Sequence, residues 1–247
     1  MNCPICGRSA LALHTVDFNK SCEETRGRHL PCADIPVRYL QCLHCGFCFA
    51  PDLCAWPPEE FERRIYNEAY PMVDPDYADA RPRANAAALR RIFAAPTPGM
   101  RHLDYGGGNG LLSRLLRENG WNSASYDPLS ERGTDPARLG QFQLITAFEV
   151  FEHVPDVRTL LRSLRTLLAP EGLVMFSTLT SDGEIHAQHP LTWWYAAPRN
   201  GHISLFSRAS LGLLAAQGGF NFHSLNAGMH LFFTTIPPWA MQLWEPA

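Results

Sequence analysis

The chain has no apolar stretch of transmembrane length, no long run of basic residues, and no amino-terminal segment with a charged start and an apolar centre. The first absence excludes a membrane-spanning helix, which needs about 20 consecutive apolar residues. The second denies nucleic acid an electrostatic footprint: 21 Lys and Arg against 24 Asp and Glu give a formal net charge of −3, whereas phosphate backbones are gripped by basic patches. The third removes the signature of a secretory leader. A soluble, cytoplasmic protein without a membrane or nucleic-acid partner is therefore expected. Internal repeats are missing as well, and the proline-rich stretches around Pro57, Pro96 and Pro237 are short.

What is present fits 247 residues with an ordinary apolar fraction: one α/β domain and a small extra module. The most concentrated feature is LDYGGGNG, Leu103 to Gly110. RHLDY before it is β-prone, and LLSRLLRENG after it repeats apolar residues at helical spacing and stops at Gly120. The glycines thus occupy a strand-to-helix turn. In open α/β sheets ligands bind at the carboxyl ends of strands, where glycine permits positive φ and close approach to main-chain N–H groups. A purely structural tight turn is the alternative. The spacing Asp104-x-Gly106-x-Gly108-x-Gly110 differs from the G-x-G-x-x-G of dinucleotide folds.

Three further signals follow in order. WNSASYDP reads as a second strand ending in Asp127, an acid placed to accept hydrogen bonds from ribose hydroxyls, as NAD enzymes also arrange. QLITAFEVFEHVPD, Gln143 to Asp156, is a buried-type strand running into Glu149, Glu152 and His153, with Pro155 opening the helix VRTLLRSLRTLLAPEG. GLVMFSTL then reads as another strand.

The loop resembles motif I, and the Glu-His-Val ending motif IV, of the class I S-adenosylmethionine (SAM) dependent methyltransferases. That resemblance implies a Rossmann-like α/β sheet with SAM as cofactor, bound by Asp104, Gly106, Gly108, Gly110, Asp127 and Phe148. It implies a base at His153, which follows the motif IV strand, with His202 and Glu149 as the next candidates. A helix-capping or core role for His153, and a cofactor-edge role for Glu149, remain open. One segment departs from the pattern: PLSERGTDPARLGQF, Pro128 to Phe142, is rich in Pro, Gly and charge and reads as a loop, where the family normally has a helix and a strand. The third strand and its helix are expected to be truncated at the edge of the sheet, and no residue is assigned to the adenine contact.

Near the amino terminus stand Cys3-Pro-Ile-Cys6-Gly and Cys42-Leu-His-Cys45-Gly. Each is a knuckle presenting two thiolates, and together they complete a tetrahedral four-cysteine zinc site. With all four positions closed by sulfur no place is left for substrate water, so the zinc is structural. Unligated cysteines in a reducing cytoplasm are the alternative. Cys22, Cys32, Cys48 and Cys54 read as free thiols, with Cys32 or His44 as a substitute ligand, and Gly7 to Gln41 must form a hairpin or a long excursion. Knuckles ahead of a SAM domain resemble a methyltransferase subgroup that includes sugar C-methyltransferases. The resemblance covers the cysteine frame and roughly Arg101 to Thr180.

The expected division is a zinc-binding module over 1–56, a helical linker over 57–98, and a SAM-binding domain over 99–247. PPEEFERRIYNEAY and RPRANAAALRRIFA read as the linker's helices, and the segment 71–82 between them is either a lid or a surface linker. Within the SAM domain, 181–207 is an insertion that shapes the acceptor pocket, with Trp193, Trp194, Tyr195, Arg199 and Asn200 as substrate contacts. Aromatics that merely plug the sheet edge are the plainer alternative. SRASLGLLAAQGG is a helix capped by Ser207, and FNFHSLNAG with MHLFFTTI close the sheet. The functional expectation is methyl transfer from SAM to a small-molecule acceptor, such as a sugar or another biosynthetic intermediate. An NAD-binding oxidoreductase and a zinc-knuckle interaction protein with a silent SAM-binding domain are the alternatives. The oligomeric state is not legible.

Overall fold

The computed structural model describes residues 1–93, 99–131, 133–187 and 189–244, so the proline stretch at Pro96 falls outside the described residues. The chain divides into two compact units, one formed by Met1–Pro75, Phe151–Arg158 and Thr178–Leu214, the other by Asp76–Val150, Thr159–Ser177 and Ala215–Ala247.

In the first unit β1 (Ala10–Asp17) pairs antiparallel with β2 (Pro36–Cys42), so the stretch between the knuckles is a hairpin with a long connection. β2 pairs with β3 (Cys48–Phe49), and β3 pairs with β8 (Ser204–Leu205), which comes from much later in the sequence. Short helices α1 (Pro51–Cys54), α2 (Pro58–Arg64) and α3 (Tyr70–Val73) follow β3, each with proline in its first turn, where a missing N–H costs nothing. The single helix expected over Pro57 to Tyr70 is thus broken. Asn67 turns the chain by accepting from the Ala69 N–H at 3.1 Å, a side-chain bond that competes with the helical one.

The apolar centre of this unit gathers Phe18, Tyr39, Phe61, Ile65, Tyr195 and Leu205. Those last two residues explain why the observed units cut across the boundaries expected at 56 and 98 and around 181–207. A hairpin with a few short helices buries little apolar surface alone, and the aromatic stretch supplies the missing side chains.

The second unit is a six-stranded sheet in the order β5-β4-β6-β7-β10-β9. β4 (Arg101–Tyr105), β5 (Asn122–Tyr126), β6 (Phe142–Phe148) and β7 (Leu168–Ser177) are parallel, while β10 (Met229–Phe233) is antiparallel to both β7 and β9 (Asn221–Ser224). The fold class is therefore the expected one. Among the described residues between β5 and β6 only a 3-10 turn, Pro136–Leu139, is regular, so the sheet ends at β5 and lacks the outer strand. Helices α4 (Ala80–Ile92) and α5 (Leu111–Glu118) contribute Ala86, Leu89, Leu112 and Leu116 to a core with Trp121, Leu144 and Leu231. The chain passes between the units within α6 (Val157–Leu167) and α7 (Arg208–Gln217). α6 stops five residues short of the expected Gly172, because Leu168 already pairs with Phe142 in the sheet.

Candidate active site and metal centre

Parallel strands bring the carboxyl ends of β4, β5 and β6 to one edge of the sheet, the edge where ligands bind in open α/β folds. The turn after β4 lies there, with Gly106, Gly108 and Gly110 at φ 73°, 53° and 70°, conformations that L side chains rarely adopt. A Cβ on Gly106 would stand 2.5 Å from Val150, and one on Gly107 would stand 2.2 Å from Ser125 Oγ and 2.7 Å from Asp104 Oδ2. A Cβ on Gly108 would meet no atom within 4 Å. Gly106 and Gly107 are thus fixed by their neighbours, while Gly108 faces open space. The Gly108 N–H donates to Asp127 Oδ2 at 2.9 Å, and Leu129 N–H donates to Asp127 Oδ1 at 2.9 Å. Each oxygen of that carboxylate carries a second lone pair for a ligand hydroxyl. Asn109 Nδ2 donates to the Ala78 carbonyl at 2.8 Å, fastening part of the 71–82 segment to the loop.

Beneath the loop Asp104 is buried, and its Oδ1 accepts from the Thr146 hydroxyl at 2.9 Å. Burial pushes its carboxyl up to about 7, against the lowering hydrogen bond from Thr146, and the Asp127 charge pushes the same way as burial. At the end of β6, Phe148 is half-buried. Glu149 has φ 53°, its N–H donates to Ser177 Oγ at 2.8 Å, and Ser177 Oγ donates to Glu149 Oε1 at 2.7 Å. A non-glycine residue held there costs on the order of 1–3 kcal/mol, and such strain concentrates at functional sites.

In the first unit the four cysteines Cys3, Cys6, Cys42 and Cys45 come together, with their sulfurs within 4.8 Å of one another. Cys3 Sγ is 3.6 Å from Cys45 Sγ, and Cys6 Sγ is 3.4 Å from Cys42 Sγ. Disulfide sulfurs are about 2 Å apart; a tetrahedral ion with bonds of about 2.3 Å separates its sulfurs by about 3.8 Å. The spacing therefore fits a four-sulfur ion site. Each knuckle closes by a main-chain bond, Gly7 N–H to Cys3 O at 2.9 Å and Gly46 N–H to Cys42 O at 2.8 Å, with both glycines in the left-handed region. Arg158 fixes the first knuckle by donating to Pro4 O at 2.9 Å and Ile5 O at 3.1 Å. Ser207 fixes the second by donating to Cys45 O at 2.5 Å, while its Oγ also accepts from Ser210 N–H at 3.0 Å as the cap of α7. The contact between Cys3 and Cys45 holds the Cys3 thiol down, while the same contact and burial push the Cys45 thiol up. Cys32 bonds Asp17 instead, and neither it nor the exposed His44 joins the four.

The same unit gathers Glu152, His153 and His202, one ligand-type atom of each lying within 4.8 Å of the others. Glu152 is fully buried and accepts from the Tyr195 hydroxyl at 2.5 Å. His153 Nδ1 faces the Gly201 carbonyl at 3.2 Å, and His202 Nδ1 faces the Tyr195 carbonyl at 2.8 Å. A carbonyl only accepts, so both Nδ1 atoms carry the proton and the basic lone pair of each ring is on Nε2. Glu152 stood in the motif as a bystander; its one signal was adjacency to His153.

Among the residues expected to contact substrate, Trp193 and Tyr195 lie in the apolar centre, and Trp194 is 41% exposed. Arg199 donates to Ile65 O at 3.0 Å and to Asn67 Oδ1 at 3.3 Å. Asn200 donates to Val73 O at 2.9 Å and accepts from Cys22 N–H at 2.9 Å. Lys20, the only lysine in the sequence, donates to the Trp193 and Ala196 carbonyls at 2.8 Å each. These polar groups hold main-chain segments together.

An open, mostly parallel sheet with a glycine turn after its first strand and an acid after its second defines the fold of a class I SAM-dependent methyltransferase. The family described as Methyltransferase domain matches residues 77–225, more than half of the chain, and the chain belongs to that family. The ubiquinone biosynthesis O-methyltransferase of Bordetella avium is 32% identical over 111 residues, covering 35% of this chain and 46% of the relative. That of Idiomarina loihiensis is 30% identical over 125 residues, covering 38% and 51%. The chain thus spans about half the length of the curated relatives it matches. Among solved structures, the 1,6-didemethyltoxoflavin-N1-methyltransferase of Burkholderia thailandensis is similar with a TM-score of 0.49 and 18% identity over 83% of this chain and 96% of its own. DesVI of Streptomyces venezuelae follows with a TM-score of 0.44 and 16% identity over 65% and 92%. Among the described residues no helix is long and apolar enough to cross a membrane.

Proposed function

We propose that the protein transfers a methyl group from SAM to a small-molecule acceptor, a sugar or another biosynthetic intermediate, and that a structural zinc ion is held by Cys3, Cys6, Cys42 and Cys45. The observation that carries the reading is the Asp104-x-Gly106-x-Gly108-x-Gly110 turn, whose Gly108 borders open space and is tied to the acid at Asp127. SAM would supply an already activated sulfonium methyl. The chain's part is to orient the acceptor, exclude water and take a proton where the acceptor is a hydroxyl. Asp127 offers acceptors to ribose hydroxyls, and Phe148 and Glu149 border the ligand. His153 takes the proton through Nε2, with its tautomer set by the Gly201 carbonyl and His202 beside it, ring centroids 4.9 Å apart. The named activity of the curated relatives, O-methylation in ubiquinone biosynthesis, favours an oxygen acceptor. Segment 71–82 serves as a lid, a role supported by the bond from Asn109 to Ala78.

Calorimetry with S-adenosylhomocysteine and with NAD, and transfer of labelled methyl from SAM to a panel of sugars and phenols, test this reading. Binding of the first ligand without the second is expected. NAD binding alone would establish an oxidoreductase, and SAM binding without transfer a silent domain. His153→Ala should keep S-adenosylhomocysteine affinity and lose roughly two to four orders of magnitude in turnover, the range of a positioned base. A melting temperature and an affinity that fall together would instead assign His153 to structure.

A further inference from the structure

Asp104 ends a chain of side chains that crosses the sheet under the glycine loop. Thr146 Oγ1 donates to Asp104 Oδ1 at 2.9 Å, His102 Nε2 lies 3.0 Å from Thr146 Oγ1, and His102 Nδ1 lies 2.7 Å from Ser123 Oγ. All four residues are buried, His102 and Thr146 completely. The other oxygen of Asp104, Oδ2, sits against the main chain at Gly107. We propose that Thr146 and His102 are positioning residues for the cofactor loop, setting the charge of Asp104 and with it the pH range over which the loop takes its ligand. The proposal rests on the reading of the ligand as SAM.

Hydrogen-bond bookkeeping fixes the direction of the chain. With Asp104 ionised its carboxylate only accepts, so Thr146 uses its one proton there and must accept from His102 Nε2–H. His102 Nδ1 then accepts from the Ser123 hydroxyl. Burial pushes the His102 imidazole down to about 3, so the ring stays neutral throughout. If one proton is taken from solvent and placed on Asp104 Oδ1, every donor reverses. Asp104 then donates to Thr146, Thr146 to His102 Nε2, and His102 Nδ1–H to Ser123. With His102 changing tautomer, each of the three hydrogen bonds survives the reversal, and only the Ser123 hydroxyl proton has to turn to a new acceptor. An unpaired buried polar group would cost about 1–3 kcal/mol; Asp104, Thr146 and His102 keep their bonds to one another in both states, so the carboxyl can titrate inside the fold. The groups facing Asp104 are Thr146 from β6, Ser125 and the charged Asp127 from β5 and its end, and, through Thr146, His102 from its own strand.

The methionyl end of the ligand carries an ammonium, and SAM adds a sulfonium, so the ionised form of Asp104 should bind more tightly. Affinity for S-adenosylhomocysteine, measured by calorimetry from about pH 5.5 to 8.5, should rise and then level with its inflection near 7, where burial holds the carboxyl. Thr146→Val keeps the shape, removes the donor to the carboxylate and breaks the relay. It should move the inflection upward by about one pH unit and weaken binding roughly fivefold at neutral pH, with the two proteins converging at the alkaline end. Thr146→Ser should restore the parent profile. An inflection unchanged in Thr146→Val, with binding weakened equally at every pH, would reduce Thr146 to a packing residue and overturn the proposal. So would a parent affinity that is flat with pH. A parent protein that binds no S-adenosylhomocysteine at any pH would instead remove the SAM reading, and this proposal with it.

Discussion

Two glycine turns in this chain treat their surroundings in opposite ways. The turn after β4 presents Gly108 to space in which a Cβ would meet nothing within 4 Å. The turn Arg199-Asn200-Gly201 has its glycine at φ 89°, where a Cβ would stand 3.0 Å from His153 Nδ1 and 3.2 Å from the Tyr66 hydroxyl oxygen. Its flanking side chains donate to the carbonyls of Ile65 and Val73. One turn stays open on the side where a ligand would approach; the other is closed by its neighbours and braces two distant segments. Glycine content alone does not separate a binding loop from a brace, but the atoms around the absent side chain do.

The contrast breaks most sharply at Gly108. Gly108→Val should weaken S-adenosylhomocysteine binding by more than about 100-fold, because a branched side chain would fill the open side, while the left-handed φ adds only about 1–2 kcal/mol of strain. Normal affinity by calorimetry would show that the open side is not the ligand's path. Cys42→Ser comes next. A structural zinc site contributes on the order of 10 kcal/mol to folding, so losing one ligand should release the metal and lower stability by more than about 3 kcal/mol, with elemental analysis as the check. Metal-free parent protein prepared without chelator would refute the assignment. Arg199→Ala sharpens the other side: it should cost about 1–3 kcal/mol, the worth of hydrogen bonds from a buried charged group, and leave S-adenosylhomocysteine affinity unchanged. Trp194→Ala should have the smallest effect, a weaker acceptor KM with little change in melting temperature, since that ring is 41% exposed.

What was legible in the sequence was what is local. The glycine loop, the two knuckles and the second acid each lie within a few consecutive residues, and turn chemistry reads them directly. The truncated sheet edge was equally visible, because Pro128 to Phe142 lacks apolar periodicity. The His102–Thr146–Asp104 chain was not, because it joins two strands whose register no single segment encodes. The destination of Arg199 and Asn200 was hidden for the same reason: a polar pair in an aromatic insertion reads the same whether it meets a substrate or a carbonyl. The boundaries failed to coincide with the compact units because a short apolar strand such as Ser204–Leu205 carries no mark of its partner.

That strand has a consequence for the order in which the protein is made. The sheet of the first unit needs β8, which leaves the ribosome after most of the second unit's strands have been synthesised. The cysteine hairpin therefore emerges early and waits with its apolar face uncovered, since contacts between residues far apart in sequence form late and slowly. Capture of a metal by the two knuckles would require the chain only as far as Cys45, well before that face is covered. A zinc ion bound during synthesis would act as a temporary clasp, keeping the amino-terminal hairpin shaped until its last strand arrives.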